Sequence, residues 1–239
     1  MQTKEAFSES IREGKMMFID KPYRWTSFDV VNKLKALLQH RLGLKKIKVG
    51  HAGTLDPLAT GLLIICTGKA TKQIEQFQVL DKTYTGTFYT GKTTPSFDLE
   101  TSPDKEYPTA HITKELAEKT AGVLTGPQQQ IPPLFSAKKI GGERAYTFAR
   151  KGKDTVLKAN LVHIKTFEIT EFDLPNIHFR VQCSKGTYIR ALARDFGEAM
   201  NSGAYLAALR RTHIGQYDVT NAWSIQTMTD MINSFEDQA

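Results

Sequence analysis

Cysteines, paired metal ligands and long apolar runs are scarce in this sequence of 239 residues. The two cysteines, Cys66 and Cys183, both lie in apolar stretches, so we interpret them as buried free thiols, not as a disulfide or zinc framework. The longest strongly apolar run, residues 62–66, is far too short to span a bilayer, and the polar first residues lack the apolar core of a signal peptide. These absences predict a cytoplasmic protein without a membrane anchor.

Phosphate-binding glycine motifs are also missing, since neither the P-loop pattern nor Gly-x-Gly-x-x-Gly occurs. Acidic residues are missing from residues 30–55, which we call the basic segment. Its six basic residues are Lys33, Lys35, Arg41, Lys45, Lys46 and Lys48. A second basic cluster occupies residues 138–158. With a net charge of +7, the two clusters favour a polyanionic partner such as RNA, although either cluster alone is also typical of a solvated surface.

Apolar periodicity predicts helices interspersed with strands. The predicted strands are 16–20, 62–67, 83–89, 160–172 and 177–184, and the predicted helices follow a cap at Thr26 or Ser27, cover 113–121 and 144–151, and follow a cap at Thr187. A hairpin-length turn separates the last two strands. The pattern therefore predicts an α+β fold with a mixed sheet, not a parallel doubly wound one.

Residues 50–61 (GHAGTLDPLATG) are the unusual stretch. Glycines permit sharp turns and close approach of a ligand, and Pro57 keeps Asp56 out of helical geometry. Taken alone, the stretch is more typical of a structural Asp-Pro turn. Arg190 is predicted in the first turn of a helix, where a cation opposes the helix dipole and a nearby carboxylate could compensate. Tyr84 shares a strand face with Phe88, as a core aromatic residue would.

Together these segments resemble the TruB family of tRNA pseudouridine synthases. The resemblance is carried by DKP at 20–22, GHAGTLDPLATGLL at 50–63, DKTY at 81–84, IPPLFSAKKIGGERAYTFARKG at 131–152, CSKGTYIRALARD at 183–195 and LRRTHIG at 209–215. It implies a pseudouridine synthase fold, α+β with a central, mixed and largely antiparallel sheet, and chemistry without a metal or an organic cofactor. The implied substrate is uridine 55 in the T-arm stem-loop of tRNA.

The resemblance also implies the site. Asp56 matches the catalytic nucleophile, Tyr84 the tyrosine that stacks on the target base, and Arg190 the arginine that pairs with the aspartate. The implied substrate-binding residues are Lys21, Pro22, His51, Asp98, Tyr188 and Leu209. The role of Asp98 is in doubt, because a glycine usual in the family is missing near residues 100–101.

The implied catalytic domain covers 1–225, with an RNA-clamping segment at 132–160. Residues 226–239 are expected to be a short tail without the RNA-binding PUA module of many family members. A monomer is expected, and the role of the long loop at 93–109 is open. Three alternatives remain: an RNA-binding chaperone that folds tRNA, the catalytic subunit of a guide-dependent synthase, and an enzyme of free nucleotides.

Overall fold

The computed structural model describes residues 3–135, 139–140, 143–144 and 157–235. Its helices are α1 (Lys4–Glu13), α2 (Ser27–Arg41), α3 (Ile74–Gln78), α4 (Lys114–Val123), α5 (Ile189–Ala199) and α6 (Ile225–Asn233). Its strands are β1 (Met16–Lys21), β2 (Val49–His51), β3 (Ala59–Thr67), β4 (Lys82–Thr90), β5 (Lys92–Thr93), β6 (Lys105–Glu106), β7 (Gly126–Gln130), β8 (Lys139–Ile140), β9 (Glu143–Arg144), β10 (Asn160–Asp173), β11 (Asn176–Cys183), β12 (Ala204–Ile214), β13 (Tyr217–Asp218) and β14 (Trp223–Ser224).

The chain divides into two compact units. The first unit combines Met1–Lys82 with Arg210–Ala239, and the second is Thr83–Leu209, so one boundary falls at the start of β4 and the other inside β12. Ten of the strands belong to a central mixed sheet, while β5–β6 and β8–β9 form separate two-stranded ribbons. The predicted α+β class with a mixed sheet is therefore confirmed.

In the first unit, β3 carries the longest apolar run because it is buried on both faces. It pairs antiparallel with β1, from Met16 opposite Cys66 to Lys21 opposite Gly61, and with β2. A parallel pairing of β1 with β14 makes the sheet mixed. Leu63 and Ile65 face a core built from α1, α2 and α6, whereas Leu62 and Ile64 pack with Phe77 of α3 on the other face.

Helix α2 begins at a capping box. The Thr26 side chain accepts from the amide of Asp29, and the Asp29 carboxylate accepts from the amide of Thr26. Such a cap contributes about 1 kcal/mol. The helix buries Val30, Val31, Leu34 and Leu38, close to the predicted face, while Leu37 is only partly buried.

Three helices of the first unit, α1, α3 and α6, were not predicted. Helix α1 buries Phe7 and Ile11, and α6 buries Met228 and Ile232 in the same core as α2. Most of the expected short tail at 226–239 that the structure describes is thus helix packed into a core. Helices α1 and α6 are short, and each buries only two apolar residues, which is too few for a conspicuous period in the sequence.

In the second unit, β10 and β11 form the predicted hairpin, with Asp173 opposite Asn176, and β10 also pairs antiparallel with β7. The predicted alternation of β11 is confirmed, since Ile177, Phe179, Val181 and Cys183 are buried. Four phenylalanine rings form an aromatic core: Phe88, Phe167, Phe179 and Phe196. Among the described residues, no helix is long and apolar enough to cross a membrane.

Candidate active site

Asp56 lies half-buried on the loop that joins β2 to β3. The backbone of this loop is extensively hydrogen-bonded. The Ala52 amide donates to the Ile64 carbonyl (2.9 Å), and the Asp56 carbonyl accepts from the Ala59 amide (3.0 Å). Gly53 has a φ of 99°, a left-handed conformation that favours glycine, as the sequence predicted for this stretch. The carboxylate therefore stands on a loop with a defined shape.

Ser27, the first residue of α2, holds the residue before Asp56. Its buried hydroxyl accepts from the Leu55 amide (2.9 Å) and donates to the Leu55 carbonyl (3.2 Å). Of the two predicted cap residues, Thr26 is the cap and Ser27 serves this loop instead. The Ser27 hydroxyl thus holds the two peptide groups on either side of the Leu55 Cα, the second of which leads into Asp56.

Two buried cations hold carbonyls on both sides of Asp56. The Lys21 ammonium donates to Trp25 (2.6 Å), Pro22 (3.0 Å) and Pro57 (3.4 Å). The Arg211 guanidinium donates from Nη2 to Gly53 (3.1 Å) and from Nη1 to Thr54 (3.4 Å). Lys21 and Arg211 are 0% and 1% exposed. Burying two full charges is costly unless they are hydrogen-bonded, and here the bonds go to the Asp56 loop and its neighbours.

Burial lowers the pKa of Lys21 from 10.5 to about 8, although the negative charge of Asp56 opposes that shift. Lys21 therefore keeps its charge near neutral pH. The attraction to Asp56 thus favours the charged form of Lys21, because opposite charges stabilise each other. Of the predicted pair Lys21 and Pro22, the lysine is the buried cation and the proline supplies one of its acceptors.

His51 is the last residue of β2, just before the Asp56 loop. Burial lowers its pKa, a hydrogen bond with the Gly53 backbone opposes this, and the charge of Arg211 lowers the pKa further. The imidazole is therefore neutral at pH 7. Its Nδ1 is buried, with no hydrogen-bond partner among the residues that the structure describes.

In the second unit, Tyr84 and Phe88 lie on β4 and are both buried, as the alternation predicted. Gly86 lies between them. A Cβ at Gly86 would come within 2.4 Å of the Ala208 carbonyl oxygen and 2.7 Å of the Phe179 ring, so the strand needs glycine here. The close approach of β12 and β11 to this point of β4 fixes the strand that carries Tyr84.

Arg190 lies in the first turn of α5, as predicted, and is 4% exposed. Its Nε is 3.6 Å from the Asp98 carboxylate, and Nη1 donates to the Ser96 carbonyl (3.4 Å). A compensating carboxylate is thus present. The predicted cap at Thr187 is wrong: the helix starts after Tyr188, and the Thr187 hydroxyl donates to the Ser184 carbonyl instead.

Asp98 belongs to the predicted long loop at 93–109, whose ends pair as the β5–β6 ribbon. The Asp98 carboxylate accepts from the Glu100 amide (2.9 Å), and its carbonyl accepts from the hydroxyls of Thr94 (2.7 Å) and Ser96 (3.1 Å). The left-handed residue of this loop is Phe97, with a φ of 62°. Positions 100 and 101 do not have a positive φ, so the loop forms without the glycine missing there.

Tyr188 is held by a glutamine that the sequence analysis overlooked. The buried Gln130 accepts from the Tyr188 amide (2.8 Å) and donates to the Tyr188 carbonyl (3.1 Å). Because Gln130 is the last of three successive glutamines, the sequence gave no sign that it would be the buried one.

Leu209 is half-buried and is the last residue of β12 that belongs to the second unit. Arg211 lies beside Arg210, and nothing in the sequence separates the buried arginine from the accessible one.

All six cations of the basic segment are exposed. Residues 136–138, 141–142 and 145–156 lie outside the described residues. This leaves out most of the second basic cluster, most of the predicted RNA-clamping segment at 132–160 and nearly all of the predicted helix at 144–151. Lys158 at the end of that cluster is exposed. The basic segment is therefore an exposed concentration of positive charge, which suits contact with a polyanion.

The structure places Lys21, Pro22, His51 and Asp56 in the first unit, and it places Tyr84, Asp98, Tyr188, Arg190 and Leu209 in the second. Within the first unit it brings the Asp56 loop together with Lys21 and His51, and within the second it joins Arg190 to Asp98. The pairing of Arg190 with Asp56 that the resemblance implies stays a prediction.

Comparison with known proteins identifies the family. A family model described as TruB family pseudouridylate synthase (N terminal domain) matches residues 39–189. A second, described as tRNA pseudouridylate synthase B C-terminal domain, matches residues 190–239. The chain therefore belongs to the TruB family of pseudouridylate synthases, a family of isomerases.

The relatives agree with this assignment. The chain is 54% identical over 227 residues to tRNA pseudouridine synthase B of Phocaeicola vulgatus, covering 95% of this chain and 97% of the relative. It is 57% identical over 218 residues to the protein of the same name from Flavobacterium johnsoniae, covering 91% and 95%. A solved chain in the crystal structure of a Cbf5-Nop10-Gar1 complex has the same fold, with a TM-score of 0.73 at 23% identity. That match covers 99% of this chain but only 60% of the solved one.

Proposed function

We propose that this protein converts uridine 55, in the T-arm loop of tRNA, to pseudouridine, with Asp56 as the nucleophile. Family membership and the relatives named tRNA pseudouridine synthase B support the coarser statement, that the protein forms pseudouridine in tRNA. The observation that carries the finer statement is the Asp56 loop. A half-exposed carboxylate stands on a backbone fixed by Lys21, Ser27 and Arg211.

The reaction is an isomerisation that needs no added atoms or electrons. The bond from the ribose carbon C1′ to N1 of the base breaks, a bond from C1′ to C5 forms, and the proton on C5 is replaced by one on N1. A carboxylate can act by adding to the sugar or by taking a proton from it, and either path splits one difficult step into easier ones. In both paths the acting group is the carboxylate of Asp56, beside the Asp56 loop carbonyl at Pro57 that Lys21 holds.

The remaining residues have roles suggested by the family pattern. Tyr84 supplies an aromatic face for the uracil, and Arg190 supplies a guanidinium whose position is fixed by Asp98. His51 presents a neutral imidazole at the end of β2, next to the Asp56 loop. The proposed contacts to substrate or its surroundings are Lys21, Pro22, His51, Asp98, Tyr188 and Leu209.

A uridine in a folded loop must leave its stack to reach a carboxylate on the protein, and unstacking costs a few kcal/mol. Phosphate contacts can supply that energy, since neutralising phosphates releases condensed counterions. The exposed basic segment is the surface we assign to this task. We also propose that a single chain of 26.8 kDa carries out the reaction, which light scattering during turnover would test.

The test uses T-arm stem-loops with tritium on C5 of a single uridine, either at position 55 or at another loop position. Wild type, Asp56→Asn and Asp20→Asn are compared. Asp20 is a matched control because it is a neighbouring carboxylate that pairs with Arg210 (2.6 Å) instead of serving the loop. We expect tritium release from position 55 by wild type and Asp20→Asn, and none by Asp56→Asn.

Each other result has a definite meaning. Release from both labelled positions would reject the assignment to uridine 55, and undiminished release by Asp56→Asn would reject the nucleophile. Tight RNA binding without release by wild type would favour a tRNA-folding chaperone or a guide-dependent subunit. Turnover of free uridine or its phosphate would favour an enzyme of nucleotides.

A further inference from the structure

Arg211 is a fully buried arginine with no role assigned by the family resemblance above. We propose that Arg211 is a positioning residue: it fixes the peptides at Gly53 and Thr54 and thereby sets the orientation of Asp56. The inference rests on the proposed function of Asp56. Arg211 does not need to touch the RNA in this role, because it acts through the backbone of the loop.

The geometry connects three separate carbonyls to one planar group. Arg211 Nε donates to Leu62 of β3 (2.8 Å), Nη2 to Gly53 (3.1 Å) and Nη1 to Thr54 (3.4 Å). The guanidinium therefore ties the loop before Asp56 to the strand that follows it. The guanidinium is rigid and planar. Its bond to the Leu62 carbonyl of β3 therefore determines where the other two donors, and the Gly53 and Thr54 carbonyls bound to them, lie.

Gly61 allows this arrangement. It has a φ of 106°, and a Cβ there would lie 2.2 Å from the Arg211 carbonyl oxygen and 2.8 Å from its amide nitrogen. Only glycine therefore lets β3 approach residue 211 this closely. Gly61, the last glycine of the 50–61 stretch, thus makes room for the backbone of Arg211, and the Arg211 side chain holds the loop that carries Asp56.

The charge of Arg211 also reaches the other polar groups around the loop. It contributes to the lowered pKa of His51 and of Lys21, after burial as the main cause in each. A cation at this point helps to keep the imidazole neutral and adds positive potential beside the Asp56 loop. A neutral side chain at 211 would remove this influence together with the hydrogen bonds.

The neighbouring Arg210 provides the matched control. Its side chain is 40% exposed and forms a two-pronged pair with Asp20, at 3.0 Å and 2.6 Å. Its guanidinium donates to the Asp20 carboxylate and to the Thr60 hydroxyl (3.4 Å), whereas the carbonyls before Asp56 accept from Arg211. Arg210→Lys therefore makes the same chemical change in the same strand but leaves the Arg211 hydrogen bonds to Gly53, Thr54 and Leu62 in place.

The experiment measures the single-turnover rate of tritium release and the Kd for the stem-loop, in wild type, Arg211→Lys, Arg210→Lys and Arg211→Ala. Tryptophan fluorescence checks folding of each variant. For Arg211→Lys we expect a rate lowered roughly 100-fold with RNA affinity preserved, since small misplacements of reacting groups cost about that much. Arg210→Lys should react like wild type. Guanidinium ion should accelerate Arg211→Ala, whereas sodium chloride at equal concentration should not.

A wild-type rate in a folded Arg211→Lys would overturn the inference and leave the proposed function intact, provided that Asp56→Asn is inactive. A loss confined to RNA affinity would also overturn it, because positioning acts on the chemical step. Equal losses of the single-turnover rate in Arg210→Lys and Arg211→Lys would also overturn the inference, because they would show a general effect of substitutions in β12. Absence of release by wild type would instead reject the proposed function, and this inference with it.

Discussion

Lys21 gives the sharpest prediction about stability, because it combines full burial with a displaced pKa. The perturbation is Lys21→Met, which keeps an unbranched side chain of similar length and removes the charge. In the folded protein the pKa of Lys21 is about 8, against 10.5 for the ordinary group. The wild type and the variant must therefore respond differently to alkaline pH.

The sign follows from proton binding. Between pH 8 and 10.5 the unfolded chain holds the Lys21 proton while the folded protein has released it. Because the unfolded state binds more protons, the free energy of unfolding of the wild type rises with pH in this window. The full difference is worth about 3 kcal/mol, of which about 2 kcal/mol develops between pH 7 and about pH 9.5.

Two effects act on Lys21→Met at pH 7. The Trp25 carbonyl loses its lysine donor, which costs about 1–3 kcal/mol if it stays buried, while the carbonyls of Pro57 and Pro22 keep backbone donors. Removal of a buried charge offsets part of that loss. The prediction concerns the change of the difference with pH, from which these constant contributions cancel.

Urea unfolding at several pH values is the assay, followed by tryptophan fluorescence. Both tryptophans, Trp25 and Trp223, belong to the first unit, so the signal reports the unit that contains Lys21. We expect the stability advantage of wild type over Lys21→Met to grow by about 2 kcal/mol from pH 7 to about pH 9.5. Lys33→Met, which changes an exposed lysine of α2, should show a constant difference. A constant difference for Lys21→Met as well would refute the reasoning.

Three further predictions concern catalysis, RNA binding and the backbone. Arg190→Lys should lower turnover roughly 100-fold in the tritium assay, because a point charge cannot replace the fork; near-wild-type turnover would reject this role. Reversing the three lysines at 45–48 to glutamate should weaken RNA binding and flatten its dependence on salt in a filter-binding titration, and an unchanged slope would make this cluster mere surface. Gly61→Ala should lower the midpoint of thermal unfolding, because a Cβ there meets the Arg211 backbone. Gly122→Ala, in a helix with open space around it, should raise the midpoint, with a gain in the free energy of unfolding of up to about 1 kcal/mol. A higher midpoint for Gly61→Ala than for Gly122→Ala would contradict the packing at Gly61.

Much of the fold could be predicted because the determining patterns are local. The alternation of β11, the double burial of β3 and the cap at Thr26 depend on residues close together in the chain. Helices α1 and α6 were missed because their apolar residues are few and acquire meaning only in the shared core. The cap at Thr187 was misplaced by one residue, as helix boundaries often are.

The candidate site divides in the same way. The sequence by itself determined which residues are candidates, because the glycines, Pro57 and Asp56 form one contiguous stretch with unusual backbone demands. Only the tertiary structure decided what holds that stretch. Ser27, Lys21 and Arg211 contact it from 28, 36 and 158 positions away. Burial makes these contacts strong, since a buried cation must find acceptors, and burial depends on packing that no local pattern of the chain records.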